Sequence, residues 1–139
     1  MEHIVIIGGG FGGLSFLKKA RKSNNKFTLI DKTNHHLFQP LLYQVATAVL
    51  SPADITVPIR NLFKDDKNVT IKLGEVVDIR KDSKKVILQN GEEIDYDKLL
   101  ISTGASYSYF VNDEWGEYSN GLKNINDALD IRDKILKAF

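Results

Sequence analysis

The stretch IVIIGGGFGG at residues 4–13 gives the strongest indication of the fold. Its first four residues are apolar and β-branched, which is typical of a parallel strand buried on both faces. Its glycines then form the pattern G-x-G-x-x-G at Gly8, Gly10 and Gly13. Residues 11–22 follow with leucines at helical spacing and basic residues at the end, as the helix dipole favours. The sequence therefore predicts a strand that turns sharply into a helix.

A second buried strand is predicted at residues 27–30, and it ends at Asp31. Strand, glycine turn, helix and strand together make a βαβ unit. In such a unit the glycines let a pyrophosphate approach the backbone, and the helix N-terminus offers free N–H groups to it. A carboxylate at the end of the second strand accepts hydrogen bonds from the adenosine ribose. The pattern thus predicts a dinucleotide site, and the charge of Asp31 disfavours a 2′-phosphate there.

Between the βαβ unit and the next β pattern, the sequence predicts loop and helix. Residues 33–40 are polar and are expected to form a loop. We interpret His35 and His36 as loop residues, with His36 near a bound dinucleotide. Residues 41–50 are predicted to be helical, and Ser51 is expected to be the N-cap of another helix. This region interrupts the regular alternation of strand and helix.

From residue 69 onwards the pattern changes to short β runs. The dipeptide Asn90-Gly91 favours a hairpin, because both residues tolerate positive φ. After these runs, residues 98–102 predict another buried strand, and Asn126 is expected to cap a last helix. The short runs are expected to form an antiparallel meander, and they lie at residues 69–73, 75–80, 86–88 and 92–96.

Composition and charge exclude several classes of protein. The 139 residues carry 19 basic and 18 acidic side chains, so the net charge is +1 and no nucleic-acid partner is expected. There is no cysteine, which excludes a disulfide scaffold or a redox dithiol within these residues. No metal ligand and no catalytic acid, base or nucleophile is assigned. The aromatic residues at 107–122 are expected to pack against the domain, because acidic neighbours would repel phosphate.

Five longer strings carry a resemblance to a known family. They are GGGFGG at 8–13, HLFQPLLYQVAT at 36–47, LSPADITVPIR at 50–60, DYDKLLISTGA at 95–105 and NDEWGEYSNGLK at 112–123. With these strings the chain resembles type II NADH dehydrogenases, which are single-subunit NADH:quinone oxidoreductases carrying FAD. The resemblance implies an α/β fold: a Rossmann-like FAD/NAD(P)-binding domain with an inserted antiparallel β-meander, incomplete at the C-terminus.

The resemblance also implies which residues bind the cofactor. The glycine turn would hold the FAD pyrophosphate, and the residues that end the second strand would contact the adenosine ribose. A meander strand would meet the adenine through its backbone, and the residues after the last strand would pass close to the ribitol. The cofactor-binding residues implied in this way are Gly8, Gly9, Gly10, Phe11, Gly12, Gly13, Asp31, Lys32, Val76, Thr103 and Gly104.

The activity implied is transfer of hydride from NADH to FAD and of electrons on to a quinone, within a respiratory chain. Members of the family are far longer. Residues 1–139 are therefore expected to be the N-terminal part of a discontinuous FAD-binding domain, inactive alone. The NADH-binding domain and a C-terminal membrane anchor would lie outside this chain. Two alternatives stay open: another FAD-dependent NAD(P)H oxidoreductase, and a non-catalytic dinucleotide-binding module.

The same resemblance implies where the protein works and what it touches. The chain is expected to be cytoplasmic, and its parent to be peripheral on the cytoplasmic face of the membrane. Membrane contact would come only through the C-terminal part that this chain lacks. Without the second half of the FAD-binding domain, an unpaired sheet edge is expected to remain, through which the chain would self-associate.

Overall fold

The computed structural model describes residues 1–139. The nine strands are β1 His3–Ile7, β2 Lys26–Asp31, β3 His35–Leu37, β4 Thr56–Pro58, β5 Val69–Leu73, β6 Val76–Arg80, β7 Lys85–Leu88, β8 Glu93–Asp95 and β9 Lys98–Ile101. The α-helices are α1 Phe11–Ala20, α2 Leu42–Ala46, α3 Ile59–Leu62 and α4 Ile125–Lys137. Short 3₁₀ helices occupy Gln39–Leu41, Pro52–Ile55 and Asp113–Glu117. None of the helices has the length and apolar composition that crossing a bilayer requires.

The larger of two compact units comprises residues 1–36 and 58–104, and a four-stranded parallel sheet forms its centre. The strand order is β5-β2-β1-β9. Val5 of β1 lies opposite Thr28 of β2 on one side and opposite Leu99 of β9 on the other. The predicted βαβ unit is confirmed. The strand predicted at residues 98–102 forms as β9 and pairs in parallel with β1. The prediction that it is buried is wrong, because β9 is an edge strand in which Lys98 and Ile101 are exposed and Leu99 and Leu100 are half-buried.

Alternate residues of β1 enter two different apolar cores. Ile4 and Ile6 pack with side chains of α1 and α3 on one face of the sheet. Val5 and Ile7 pack with side chains of β7 and β8 on the other face. Successive side chains of a strand point to opposite faces, so a strand covered on both faces needs an unbroken apolar run. This requirement explains why residues 4–7 contain no polar residue.

The antiparallel meander is smaller than the sequence predicts. It consists of β6, β7 and β8, and the turn at Asn90-Gly91 joins the last two, with φ +85° at Gly91. The prediction that residues 69–73 belong to it is wrong, because β5 pairs in parallel with β2. Val69 and Ile71 pack on the core that Ile4 and Ile6 form with α1 and α3, here called the helix-side core. Alternating apolar residues along a strand do not indicate whether its partner runs parallel or antiparallel.

The second compact unit comprises residues 37–57 and 105–139. Its core forms between α2 and α4 and consists of Leu42, Val45, Ala46, Ile55 and Ala128. The predicted helix at 41–50 is shorter in the structure, since Ala48 has φ +61° and the helix has ended before it. Ser51 is an N-cap as predicted, and its amide and hydroxyl donate to Asp54 at 2.8 and 2.7 Å. It begins a single 3₁₀ turn rather than an α-helix.

Two predicted loops differ from the structure. Residues 33–40 contain β3, which pairs with β4 as a two-stranded ribbon. The aromatic residues of 107–122 do not seal that segment as predicted, because Phe110 is 79% and Tyr118 is 86% exposed. An apolar side chain in a loop is not by itself a sign of burial.

The N-cap of α4 is Asn124, so the prediction of Asn126 is wrong. The Asn124 side chain accepts from the Asp127 amide at 3.0 Å, and the Asp127 carboxylate accepts from the Asn124 amide at 2.9 Å. This reciprocal pair is a capping box. If Asn126 were the N-cap, Leu129 would be the third residue of the helix. A leucine side chain has no acceptor for the backbone N–H of the N-cap residue, so no capping box could form there.

Tyr107 reinforces this cap, since its hydroxyl also donates to Asp127. Burial opposes ionisation of Asp127, but the hydrogen bonds from Tyr107 and from the Lys123 and Asn124 amides hold its pKa below the usual value. Burial and the Asp127 carboxylate together raise the pKa of Tyr107 to about 12. Both groups therefore keep the protonation state that the cap needs at neutral pH.

Replacing Asn124 with alanine is expected to lower the free energy of unfolding by about 1 kcal/mol, the usual contribution of an N-cap. Asn126→Ala is the matched control. Asn126 lies inside the helix, where alanine is the better helix former, so this change is expected to be neutral or slightly stabilising. Urea unfolding of both variants measures the difference. Equal losses in the two variants would contradict the cap at Asn124.

Candidate dinucleotide-binding site

The glycine turn lies where β1 meets α1, at the carboxyl end of the parallel sheet. β1 ends at Ile7 and α1 begins at Phe11, so three glycines reverse the chain between them. Gly8 has φ +102°, a left-handed conformation that glycine adopts without a steric cost. Ligands of open parallel sheets bind at this edge. The strand, turn and helix predicted for residues 4–13 are confirmed.

Three of the glycines differ in what surrounds them. A Cβ on Gly8 would lie 2.7 Å from the carbonyl carbon of Ser102, and a Cβ on Gly13 would lie 2.8 Å from the Ser102 hydroxyl oxygen. The Cβ on Gly13 would also meet the carbonyl oxygen of Gly8. No atom lies within 4 Å of the corresponding position on Gly10. Gly8 and Gly13 thus serve close packing, while Gly10 borders open space.

Side chains at the ends of β2 and β9, the strands on either side of β1, hold the peptide groups of the turn. The Gly9 N–H donates to Oδ2 of Asp31 at 2.5 Å. On the other side, the Ser102 hydroxyl oxygen lies 2.9 Å from the carbonyl oxygen of Ile7 and 3.1 Å from that of Gly8. The hydroxyl has one proton, so it donates to one of these two carbonyls at a time. The turn is therefore fixed by both β2 and β9.

Asp31 ends β2 as predicted, and both of its carboxylate oxygens accept hydrogen bonds. Oδ1 accepts from the backbone N–H and from the hydroxyl of Thr33, each at 2.7 Å, and Oδ2 accepts from Gly9. A carboxylate has about four lone-pair sites, so these three donors leave room for one more. Asp31 therefore supports the turn and keeps capacity for a hydroxyl of a ligand.

The first turn of α1 has no capping side chain. Its N-cap residue is Gly10, and its first turn contains no acidic residue. The first amides of a helix lack acceptors within the helix and carry partial positive charge. The amides of Gly10, Gly12 and Gly13 are in this position, next to the open space over Gly10. The position therefore favours an anion.

The chain after β9 returns to the glycine turn. The Cα of Thr103 lies 3.2 Å from the position of a Cβ on Gly8, which brings Thr103 against the turn. Gly104 has φ +76°, so the backbone bends sharply one residue later. The structure thus brings these two predicted residues to the same edge of the sheet as Gly8.

The remaining predicted residues lie beyond Asp31. The Gly74 amide donates to the Asp31 carbonyl oxygen at 2.9 Å, so the connection from β5 to β6 lies next to the end of β2. Val76, two residues after Gly74, is half-buried. It packs on the core that Val5 and Ile7 form with β7 and β8, here called the meander-side core. Lys32 is exposed, and no hydrogen bond or ion pair fixes its side chain. No group of His, Asp or Glu side chains is arranged to hold a metal ion.

Two further residues contact the turn but are not among the cofactor-binding residues that the resemblance implies. Ser102 holds the turn from β9, and His36 lies against it from β3. The His36 Nδ1 is 3.2 Å from the Gly9 carbonyl oxygen, and its ring meets the ring of Phe11 edge-on at 4.9 Å. The sequence places His36 close to a dinucleotide, but the contact with Gly9 follows only from the path of residues 31–36. The position of Ser102 follows from the pairing of β9 with β1.

Sheet, glycine turn and carboxylate together define a Rossmann-type α/β protein. Residues 2–138 match the family described as pyridine nucleotide-disulphide oxidoreductase. The chain belongs to this family. The matched residues contain no cysteine, so no redox disulphide can form among them.

Within this family, the chain is similar to several individual proteins. The chain is 45% identical to the type II NADH:quinone oxidoreductase NdhA of Mycobacterium tuberculosis, over 99% of this chain and 30% of that protein. Among solved structures, the NDH2 of Plasmodium falciparum in complex with NADH is 32% identical with a TM-score of 0.84, over 98% of this chain and 29% of that one. The sulfide:quinone oxidoreductase of Aquifex aeolicus is 28% identical with a TM-score of 0.90, over 99% and 32%. The chain spans less than a third of the length of each.

The two neighbouring glycines of α1 provide a test of this packing. Gly13→Ala is expected to lower the free energy of unfolding by roughly 2 kcal/mol, because the added methyl group overpacks the contact with Gly8 and Ser102. Gly12→Ala is the control, since its Cβ would lie 3.6 Å from the Ser102 Cβ, an ordinary contact. Alanine is the better helix former, so this variant is expected to be as stable as the wild type or more so. Denaturant unfolding that ranks the two variants the other way would contradict the close approach at Gly13.

Proposed function

We propose that the chain forms the FAD-binding part of an NADH:quinone oxidoreductase of the type II class. The observation that carries this proposal is the uncapped N-terminus of α1 at Gly10, which borders open space beside the Asp31 carboxylate. The high identity with the mycobacterial type II enzyme supports the same function.

The pyrophosphate of FAD is the part of the cofactor that this turn fits best. It would lie over Gly10, where a side chain would otherwise fill the space. The amides of Gly10, Phe11, Gly12 and Gly13 lie at the N-cap and in the first turn of α1, whose partial positive charge favours the phosphates. The Gly8 and Gly9 peptides would shape the turn rather than donate, because the Gly9 amide is already bound by Asp31.

The adenosine end of FAD would lie toward β2. The Asp31 carboxylate would accept a bond from a ribose hydroxyl with its remaining capacity, and the exposed Lys32 would approach the same ribose. Val76 would meet the adenine through its backbone, which the bond between Gly74 and Asp31 supports. Thr103 and Gly104 would pass the ribitol side, because the chain after β9 returns to Gly8. The residues present thus fit the cofactor along its whole dinucleotide part.

When bound, FAD would accept hydride from NADH and pass electrons to a quinone, as flavins do. The residues of this chain supply binding, orientation and fixed dipoles, and none is assigned as acid, base or nucleophile. In this proposal residues 1–139 are the N-terminal part of a discontinuous FAD-binding domain. The NADH-binding domain and the membrane anchor would come from other parts of the parent protein, on the cytoplasmic face of a respiratory membrane. Self-association through the exposed sheet edge stays a prediction.

A second candidate is a flavin-dependent quinone reductase with another electron donor. The higher TM-score with the sulfide:quinone oxidoreductase of Aquifex aeolicus favours it, while the higher identity with the mycobacterial enzyme favours NADH. Steady-state assays of the full-length protein with a soluble quinone decide between them. Turnover with NADH and none with sulfide is expected, and the opposite result would exclude the type II function.

Gly10→Ala tests the placement of the cofactor. Its methyl group has room in the unliganded fold, so the free energy of unfolding is expected to stay within about 0.5 kcal/mol of the wild type. The same methyl group would occupy the space of the pyrophosphate. Losing about two charge-assisted hydrogen bonds would weaken FAD binding roughly 100-fold.

The measurement is a titration of the full-length apoprotein with FAD, followed by flavin fluorescence, with a urea unfolding curve as the control for folding. A wild-type protein that does not bind FAD would overturn the proposed function. Equal affinities in the wild type and Gly10→Ala would show that the cofactor does not lie over Gly10.

A further inference from the structure

The histidine at position 36 touches the glycine turn at one specific atom. Its Nδ1 lies 3.2 Å from the carbonyl oxygen of Gly9, and its ring packs edge-on against Phe11 with an interplanar angle of 86°. A carbonyl oxygen only accepts, so Nδ1 must carry the proton that is donated. The contact therefore requires a proton on Nδ1 as well as fixing the position of the ring.

Peptide geometry gives this contact a consequence for the neighbouring amide. In a trans peptide the C=O and the following N–H point in opposite directions. The Gly9 carbonyl and the Gly10 N–H belong to one such unit, and the chain has no cis peptide bond. A donor that holds the Gly9 carbonyl on one side therefore turns the Gly10 N–H to the other side.

The preceding peptide is held in the same way. Its N–H belongs to Gly9 and donates to Asp31, and its C=O belongs to Gly8 and faces the Ser102 hydroxyl. The Gly8–Gly9 peptide and the Gly9–Gly10 peptide thus both have side-chain partners. The N–H of the second peptide belongs to Gly10, and it faces away from His36, which holds the carbonyl of that peptide.

A peptide between two glycines needs such a partner. Neither Gly9 nor Gly10 has a Cβ to restrict φ and ψ, so the peptide between them can rotate at little steric cost. Rotation would present the Gly9 carbonyl oxygen, instead of an amide, to whatever lies over the turn. A carbonyl dipole facing a phosphate is repulsive, so an unheld peptide would reduce the affinity for any pyrophosphate.

We propose that His36 is a positioning residue for the dinucleotide pyrophosphate, acting through the Gly9 carbonyl to aim the Gly10 N–H at it. This role rests on the proposed FAD site. His36 does not touch the cofactor in this arrangement. It selects one of two orientations of the Gly9–Gly10 peptide, and Phe11 keeps its ring in place.

The side-chain length of the substitute tests the role. In asparagine the amide nitrogen is bonded to Cγ, as Nδ1 is in histidine, so His36→Asn can still donate to Gly9. In glutamine the amide nitrogen lies one bond further out, so His36→Gln is expected to miss the carbonyl. His35→Asn is the matched control, because the His35 Nδ1 lies 3.1 Å from the Asn34 side chain and His35 makes no contact with the turn.

The experiment is a titration of the full-length apoprotein and its variants with FAD, together with thermal unfolding of each apoprotein. His36→Gln is expected to bind FAD about 5- to 10-fold more weakly, which corresponds to the loss of one positioning hydrogen bond. His36→Asn is expected to stay within about twofold of the wild type, and so is His35→Asn. The unfolding temperature of the His36→Gln apoprotein is expected to lie no more than a few degrees below that of His36→Asn, since the two differ by about one hydrogen bond.

Each other result overturns the role of His36. Wild-type affinity in His36→Gln would show that the Gly9 carbonyl needs no partner. An equal loss in the Asn and Gln variants, or failure of both to fold, would show that the ring itself is required for packing against Phe11. A wild-type protein that does not bind FAD would instead overturn the proposed function, which separates the two failures.

Discussion

The hydrogen bond from the Gly9 amide to the Asp31 carboxylate links the two strands on which the site depends. The bond joins the glycine turn to the end of β2, so the acidic residue at this position has a role within the fold itself. Asp31 is also the residue that would receive a ribose hydroxyl. In the proposed site the same side chain would set the shape of the turn that holds the phosphates and would bind the adjoining sugar, so the two halves of recognition would be geometrically coupled.

The parallel sheet makes this coupling possible, because β2, β1 and β9 end side by side. Asp31 reaches the turn from β2, and Ser102 reaches it from β9. The helix-side and meander-side cores bury β1 on both faces and keep its end in place. A turn of glycines has little rigidity of its own, and it takes that rigidity from the strands on either side.

Elements that depend on a short, continuous stretch of residues could be predicted from the sequence. Features that depend on contacts between residues far apart in the chain were predicted less accurately. The unit β1-α1-β2 and the turn at Asn90-Gly91 follow from short patterns of glycine and β-branched residues. The parallel pairing of β5 with β2 does not, since a strand carries no mark of its partner's direction. The N-cap at Asn124 could have been predicted from the sequence, because the N-x-x-D spacing at 124–127 allows a capping box. The contacts of Ser102 and His36 with the turn depend on how the chain returns to it, which no local pattern encodes.

A crystal structure of the full-length protein with FAD would show whether the Gly10 N–H faces a pyrophosphate. We expect a phosphate oxygen within about 3 Å of the Gly10 nitrogen. We also expect that the Gly9 carbonyl faces His36 and that a ribose hydroxyl lies on Asp31. A pyrophosphate bound elsewhere, or a Gly9 carbonyl turned toward it, would show that the turn does not hold the cofactor in this way.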